Sequence, residues 1–165
     1  MYHRILVPID GSPASLRGLD EAIRLAELTG AFLRLVHVVD ELKYVTGFER
    51  FAGGPDLILL MEEAGEQILQ QGRERAEHAG IRTETLLFTS VSGRLCDFVI
   101  EQAKAWNADL IVMGAHGRRG AGRVPLGGGA EEILRLATVP VLLVRSPSGD
   151  EEAGSAVSER ISLTT

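Results

Sequence analysis

A run of glycines and arginines over residues 113–130 (MGAHGRRGAGRVPLGGGA) has the composition of an anion-binding loop. The run follows an apolar stretch that predicts a buried strand over 109–113, and it precedes a segment whose periodicity predicts a helix over 131–138. Glycines let the backbone approach an anion closely, and the first turn of a helix offers N–H groups that lack intrahelical partners. This segment therefore predicts a binding site for a phosphate or a similar anion.

The charges of the loop favour the same interpretation. The chain carries a net charge of −6, yet the loop contains three arginines and no carboxylate. Arg118 is the strongest candidate for a phosphate contact, whereas Arg119 and Arg123 are equally compatible with solvent-facing positions. The loop lacks the Gly-Lys-Ser/Thr ending of a P-loop, and it follows the fourth predicted strand, not the first as in a dinucleotide fingerprint. A structural loop with incidental arginines is the alternative.

A second polar group stands at the end of the first predicted strand. Asp10 could meet a ribose or a metal ion there, or it could form an Asx turn that leads into a helix capped by Ser12. His116, inside the glycine-rich loop, is a candidate ligand contact, whereas His37 reads as a core histidine. Cys96 reads as a small buried apolar residue. The histidines and the cysteine show no metal-ligand spacing, and no nucleophile elbow is present.

Composition narrows the class of protein. The length of 165 residues predicts one domain, and a single cysteine cannot form an internal disulfide. The negative net charge argues against nucleic acid and membrane surfaces as partners, since both are polyanionic. We expect a cytoplasmic protein without a signal peptide or membrane span. Residues 1–145 form the predicted domain, and residues 146–165 are expected to be a flexible acidic and polar tail.

Apolar runs alternate with segments of helical periodicity along the domain. Strands are predicted at 4–9, 32–39, 83–88, 109–113 and 139–145, and helices at 13–29, from 56 to about 78, from near Ser92, and at 131–138. This alternation is typical of an α/β fold: a three-layer, doubly wound, five-stranded parallel sheet. Ligands of such sheets bind outside the carboxyl ends of the strands, where both Asp10 and the glycine-rich loop are expected.

The sequence resembles the universal stress protein family over residues 3–145. The resemblance depends on four segments: ILVPIDGS at 5–12, LVHVVD at 35–40, IVMGAHGR at 111–118, and the closing segment over 126–144. It implies the adenine nucleotide alpha hydrolase-like version of the fold, with a homodimer formed through the last strand at 139–145.

The resemblance also implies a nucleotide site. ATP-binding members share a signature of Gly, two residues, Gly, nine residues, Gly, then Ser or Thr, and Gly114, Gly117 and Gly127 match its spacing. It would place Asp10 and the backbone of Val38 at the ribose and adenine, with Pro8 and Met113 lining the pocket. The nucleotide-binding residues so implied are Pro8, Asp10, Val38, Met113, Gly114, His116, Gly117, Arg118, Gly127, Gly128, Gly129 and Ala130.

The chain departs from this signature at Gly128, where ATP-binding members have Ser or Thr, and at Gly129, where a larger apolar residue is usual. Loss of a hydroxyl that contacts a charged phosphate costs about 1.5–3 kcal/mol, or about one to two decades of affinity. The backbone N–H groups remain, so we expect weakened binding of ATP, with or without Mg²⁺.

The resemblance therefore implies a dimeric stress-response or regulatory module that binds ATP or a related adenine nucleotide. No catalytic base is identifiable, so it is not expected to be an enzyme beyond slow, incidental ATP hydrolysis. The alternative is a nucleotide-free dimeric interaction module whose glycine loop no longer binds, which Gly128 and Gly129 favour. An adenylating enzyme is disfavoured because no SGGxDS-like pyrophosphate motif occurs.

Overall fold

The computed structural model describes residues 1–40, 54–90, 94–115 and 126–145. The strands are β1 (Arg4–Pro8), β2 (Phe32–Asp40), β3 (Thr83–Ser90), β4 (Leu110–Gly114) and β5 (Val141–Val144). The helices are α1 (Pro13–Thr29), α2 (Gly54–His78), α3 (Leu95–Ala105) and α4 (Gly128–Leu136). Strands and helices alternate along the chain, which confirms the predicted α/β class.

The strands form one parallel sheet in the order β3-β2-β1-β4-β5. In its register, Arg4 of β1 lies opposite Phe32 of β2, and Ile5 lies opposite Leu110 of β4. The chain moves outward from β1 to β3 and then returns to the other side of β1 for β4 and β5. This reversal creates a switch point between β1 and β4, where ligands bind in sheets of this kind.

A separate hydrophobic core covers each face of the sheet. Successive residues of β1 point to opposite faces, as the period of a strand requires: Ile5 and Val7 enter one core and Leu6 the other. The first core joins the sheet to α1 and α2 through Leu19, Leu69 and neighbours, and the second joins it to α3 and α4 through Val99, Ile133 and neighbours. The three-layer arrangement is confirmed.

Helix α1 has the ends that the sequence predicts. The hydroxyl of Ser12 accepts a hydrogen bond from the Ser15 N–H at 3.2 Å, and Pro13 occupies the first turn. At the other end the Gly30 N–H donates to the Ala26 carbonyl at 2.8 Å. This helix is thereby fixed at the carboxyl end of β1.

Helix α4 differs from its prediction at both ends. It begins at Gly128, not at residue 131, because the Glu131 N–H already donates to the Gly127 carbonyl at 3.0 Å. Three consecutive glycines are poor helix formers, so this turn was not expected from residue preferences. It ends at Leu136 because Ala137 adopts an extended backbone with ψ 137°.

Other boundaries also differ from the sequence-based expectation. Helix α2 begins at Gly54, two residues before the predicted start at 56. Pro55 fits the first turn because that turn needs no N–H donor. Helix α3 begins at Leu95, and the predicted start near Ser92 lies outside the described residues, as does the predicted tail over 146–165.

Strand β5 is less covered than its apolar sequence suggests. All five residues of β4 are buried, whereas those of β5 are half-buried or exposed, with Leu142 36% exposed. The reason is topological, because β5 stands at the edge of the sheet and pairs only with β4 among the described strands. No described strand therefore pairs with the outer edge of β5.

Candidate functional site: the carboxyl edge of the sheet

The turn after β1 is fixed by a small network of hydrogen bonds. The carboxylate of Asp10 accepts from the Ser12 N–H at 2.9 Å, and the Asp10 N–H donates to the Ser15 hydroxyl at 3.3 Å. Gly11 has a φ of 78°, the left-handed conformation that glycine adopts without strain. The Asx turn is thus real, and because Asp10 is only half-buried, the turn does not remove its carboxylate from the ligand-binding edge.

The end of β2 is attached to this turn through His37. The ring is buried, and its Nδ1 donates to the Ile9 carbonyl at 2.7 Å, while the Ile9 N–H donates to the Val36 carbonyl at 2.9 Å. His37 is therefore the core histidine that the sequence predicts. One residue later, half-buried Val38 packs against the core beneath α3 and α4.

The end of β4 lies directly against α1. A Cβ on Gly114 would come within 2.5 Å of the carbonyl carbon and oxygen of Ala14, so only glycine fits there. Met113 and Ala115 on either side are buried. The switch point between β1 and β4 thus contains four of the predicted site residues. Pro8 ends β1, Asp10 lies in the turn after it, and β4 ends with Met113 and Gly114.

Helix α4 starts beside the end of β4. The Gly127 N–H donates to the Ala115 carbonyl at 2.9 Å, which joins the helix N-terminus to the strand end. Gly127 is the N-cap residue and has no side chain with which to cap the first turn. A Cβ on exposed Gly128 would meet no described atom within 4 Å. This turn can present backbone N–H groups to an anion, because partial positive charge accumulates at a helix N-terminus.

The start of α3 contacts the start of α4, and no sequence pattern predicts this contact. The Cys96 thiol donates to the Glu132 carboxylate at 3.0 Å, and the Arg94 guanidinium lies 3.4 Å from the same carboxylate. Burial, the hydrogen bond to Glu132 and the nearby carboxylate of Asp97 together raise the pKa of Cys96 to about 11. Asp97 first, and Glu132 second, raise the pKa of Arg94. Cys96 is buried as predicted but is also a hydrogen-bond donor.

The structure therefore brings most of the predicted site together on one edge of the sheet. Pro8, Asp10, Val38, Met113, Gly114 and the turn at 127–130 all occur at or near the carboxyl ends of β1, β2 and β4. His116, Gly117 and Arg118 lie outside the described residues, as do Arg119 and Arg123. Their assignment to the site remains a prediction from the sequence.

The described part of the chain has neither a metal-binding cluster nor a membrane-spanning helix. No group of three or more His, Cys, Asp or Glu side chains in it is arranged to hold a metal ion. None of its helices is long and apolar enough to cross a membrane.

Comparison with known proteins decides the family. The model of the universal stress protein family matches residues 1–145. The chain belongs to this family. Universal stress protein MJ0531 of Methanocaldococcus jannaschii is 33% identical over 147 residues, which cover 89% of this chain and 84% of the relative. The resemblance inferred from the four sequence segments is confirmed.

Solved universal stress proteins have the same architecture. The structure of UspA from Lactobacillus plantarum superposes with a TM-score of 0.73 at 27% identity, covering 87% of this chain and 98% of the other. A universal stress protein solved in complex with cAMP gives a TM-score of 0.61 at 26% identity, covering 87% and 97%. That relative binds an adenine nucleotide.

Proposed function

We propose that this universal stress protein binds ATP or a related adenine nucleotide at the carboxyl edge of its sheet. The observation that carries the proposal is the first turn of α4. Its N-cap residue, Gly127, has no side chain that could cap the turn, and the Gly127 N–H donates to the Ala115 carbonyl at the end of β4. A family member of the same fold is solved with cAMP, which supports an adenine nucleotide as the ligand class.

Each part of the site has a proposed role. Asp10 and the backbone at Val38 meet the ribose and adenine, while Pro8 and Met113 line the adenine pocket. The backbone of Gly127–Ala130 receives the phosphates, together with Gly114 and, from the loop outside the described residues, His116, Gly117 and Arg118. ATP binds with or without Mg²⁺, since a magnesium ion held mainly by phosphates needs few protein ligands.

The affinity is expected to be weaker than in relatives that carry the Ser or Thr. Space for a hydroxyl exists at residue 128, but glycine supplies none. The remaining N–H donors account for the larger part of such a phosphate site, so binding is reduced and not abolished.

The protein acts in this proposal as a cytoplasmic, dimeric stress-response or regulatory module and not as an enzyme. Strand β5 is apolar and only half-buried or exposed, which supports a homodimer. The proposed interface is the segment 139–145, which includes this strand. Unpaired strand edges associate readily with another copy, because their N–H and C=O groups lack partners. The site residues have binding roles in this proposal and none acts as a catalytic base, so any ATP hydrolysis is slow and incidental.

A nucleotide-free dimeric interaction module is the second candidate, and Gly128 with Gly129 favours it. One experiment separates the two. The purified full chain is denatured and the supernatant is analysed for nucleotide by mass spectrometry, and the native protein is then titrated calorimetrically with ATP, cAMP and adenosine. Binding of an adenine nucleotide at up to millimolar concentration supports the first proposal, and no binding of any of the three establishes the second.

A further inference from the structure

The start of α3 contacts the start of α4 through three residues. A Cβ on Gly129 would lie 3.2 Å from Cδ2 of Leu95, so this leucine fills the space beside the glycine. The Cys96 thiol donates to Glu132 at 3.0 Å, and Arg94 lies 3.4 Å from the same carboxylate. All three residues lie at the start of α3, outside the set of predicted nucleotide contacts.

The glycine turn needs such support from outside. Gly127, Gly128 and Gly129 have low intrinsic helix preference and lose much conformational entropy when they are ordered. The support comes from Leu95, which lies beside Gly129 and packs against the second core.

The same contacts fix the position of the Glu132 carboxylate. A carboxylate in the first turns of α4 would repel a phosphate at the helix N-terminus. The Cys96 thiol and the Arg94 guanidinium, which also pairs with Asp97, hold this carboxylate on the α3 side.

We propose that Leu95, assisted by Cys96 and Arg94, is a positioning residue that holds the glycine turn of α4 in place for phosphate binding. Leu95 itself does not touch the nucleotide. The inference rests on the proposed function, since it assigns the phosphate group to this turn.

The test is a double-mutant cycle on residues 95 and 129, read as calorimetric affinities for ATP and for adenosine. We expect Leu95→Ala to weaken ATP binding about three- to tenfold, which is what the loss of one net hydrogen bond is worth. Adenosine, which lacks phosphates, should change less than about twofold. In the Leu95→Ala background, Gly129→Ala should recover most of the ATP affinity, because the new methyl group occupies the vacated space.

Ile100→Ala is the matched control. Ile100 is also half-buried on α3 and packs against the same core, but it faces Leu136 at the far end of α4. The control should lower the free energy of unfolding as Leu95→Ala does and leave the ratio of ATP to adenosine affinity unchanged. Leu95→Val replaces Leu95→Ala if the latter is unfolded, with a smaller loss in the same direction.

Three outcomes overturn the inference while the proposed function stands: equal losses for ATP and adenosine, an equal effect of Ile100→Ala on their ratio, or no recovery in the double variant. Failure of the unmodified protein to bind any adenine nucleotide overturns the proposed function, and this inference with it.

Discussion

Gly18 of α1 and Gly114 of β4 lie against each other, backbone to backbone. A Cβ on Gly18 would come within 2.8 Å of the Gly114 amide nitrogen, and a Cβ on Gly114 would reach the backbone of Ala14 at 2.5 Å. The start of α1 therefore packs on the end of β4 without intervening side chains. Gly114 has this packing role whether or not a nucleotide binds, so the functional evidence of the glycine signature comes from Gly117 and Gly127.

This contact predicts a large loss of stability for Gly114→Ala. The new methyl group would overlap backbone atoms that cannot move independently, so we expect the free energy of unfolding to fall by about 2–4 kcal/mol. Urea denaturation followed by circular dichroism measures the change. Gly128→Ala is the matched control, because its methyl group would meet no described atom within 4 Å and should leave stability unchanged or slightly higher. Equal stability of the two variants would contradict the close packing.

Gly128→Ser should strengthen ATP binding. The substitution supplies the hydroxyl that the resemblance implies for ATP-binding members at this position. Its side chain enters a position where no described atom lies within 4 Å. We expect a gain of about one decade in affinity, measured by calorimetric titration. Gly128→Ala provides the control, since it adds the methylene position without a hydroxyl. A similar gain in both variants would show that helix preference, and not the hydroxyl, is responsible.

The Cys96 thiol should add a pH dependence to stability. Its pKa is raised from 9.0 to about 11 in the folded chain, so between these values the unfolded chain loses the proton first. The stabilisation from the neutral thiol is therefore complete below pH 9 and disappears as pH rises through 11, by about 3 kcal/mol in total.

Urea titrations of the natural chain and of Cys96→Ser at several pH values measure this effect, because the serine hydroxyl does not ionise in this range. The difference in free energy of unfolding between the two should shift with pH in the stated direction. At pH 8 the folded thiol should also resist alkylation, since only the thiolate is nucleophilic. Rapid alkylation of the folded protein at that pH would refute the buried, protonated state.

Leu142→Asp should prevent dimerisation. Leu142 is 36% exposed on edge strand β5, where a carboxylate would be buried without a partner in the proposed interface. Light scattering should give about twice 17.8 kDa for the natural chain and the single value for the variant. Leu28→Asp, at a 78% exposed position of α1, should leave the dimer intact. A monomeric natural chain would remove the dimer from the proposed function.

The fold could be predicted from the sequence because its signals are local. Short runs rich in Val, Ile and Leu specify buried parallel strands, and Ser12 with Pro13 specifies the start of α1. The core position of His37 followed from the same neighbouring residues and is confirmed. For Asp10 the sequence left two alternatives open, and the Asx turn is the one that the structure shows. The family followed from motifs within these strands and turns, and the match over residues 1–145 confirms it.

The start of α4 could not be predicted, because three glycines in isolation favour no helix. Its first turn is ordered by partners that are remote in the chain: the Ala115 carbonyl and Leu95. The thiol of Cys96 and the carboxylate of Glu132 are 36 positions apart, and no periodicity relates them.

The sequence by itself thus determined the order of strands and helices, the glycine spacing and the missing hydroxyl at residue 128. Only the tertiary structure decided that Gly114 must accommodate α1, that α3 supports the glycine turn, and that no described strand pairs with the outer edge of β5. The physical reason is that these are contacts between elements distant along the chain, whose approach depends on how the sheet is wound and not on the preferences of neighbouring residues.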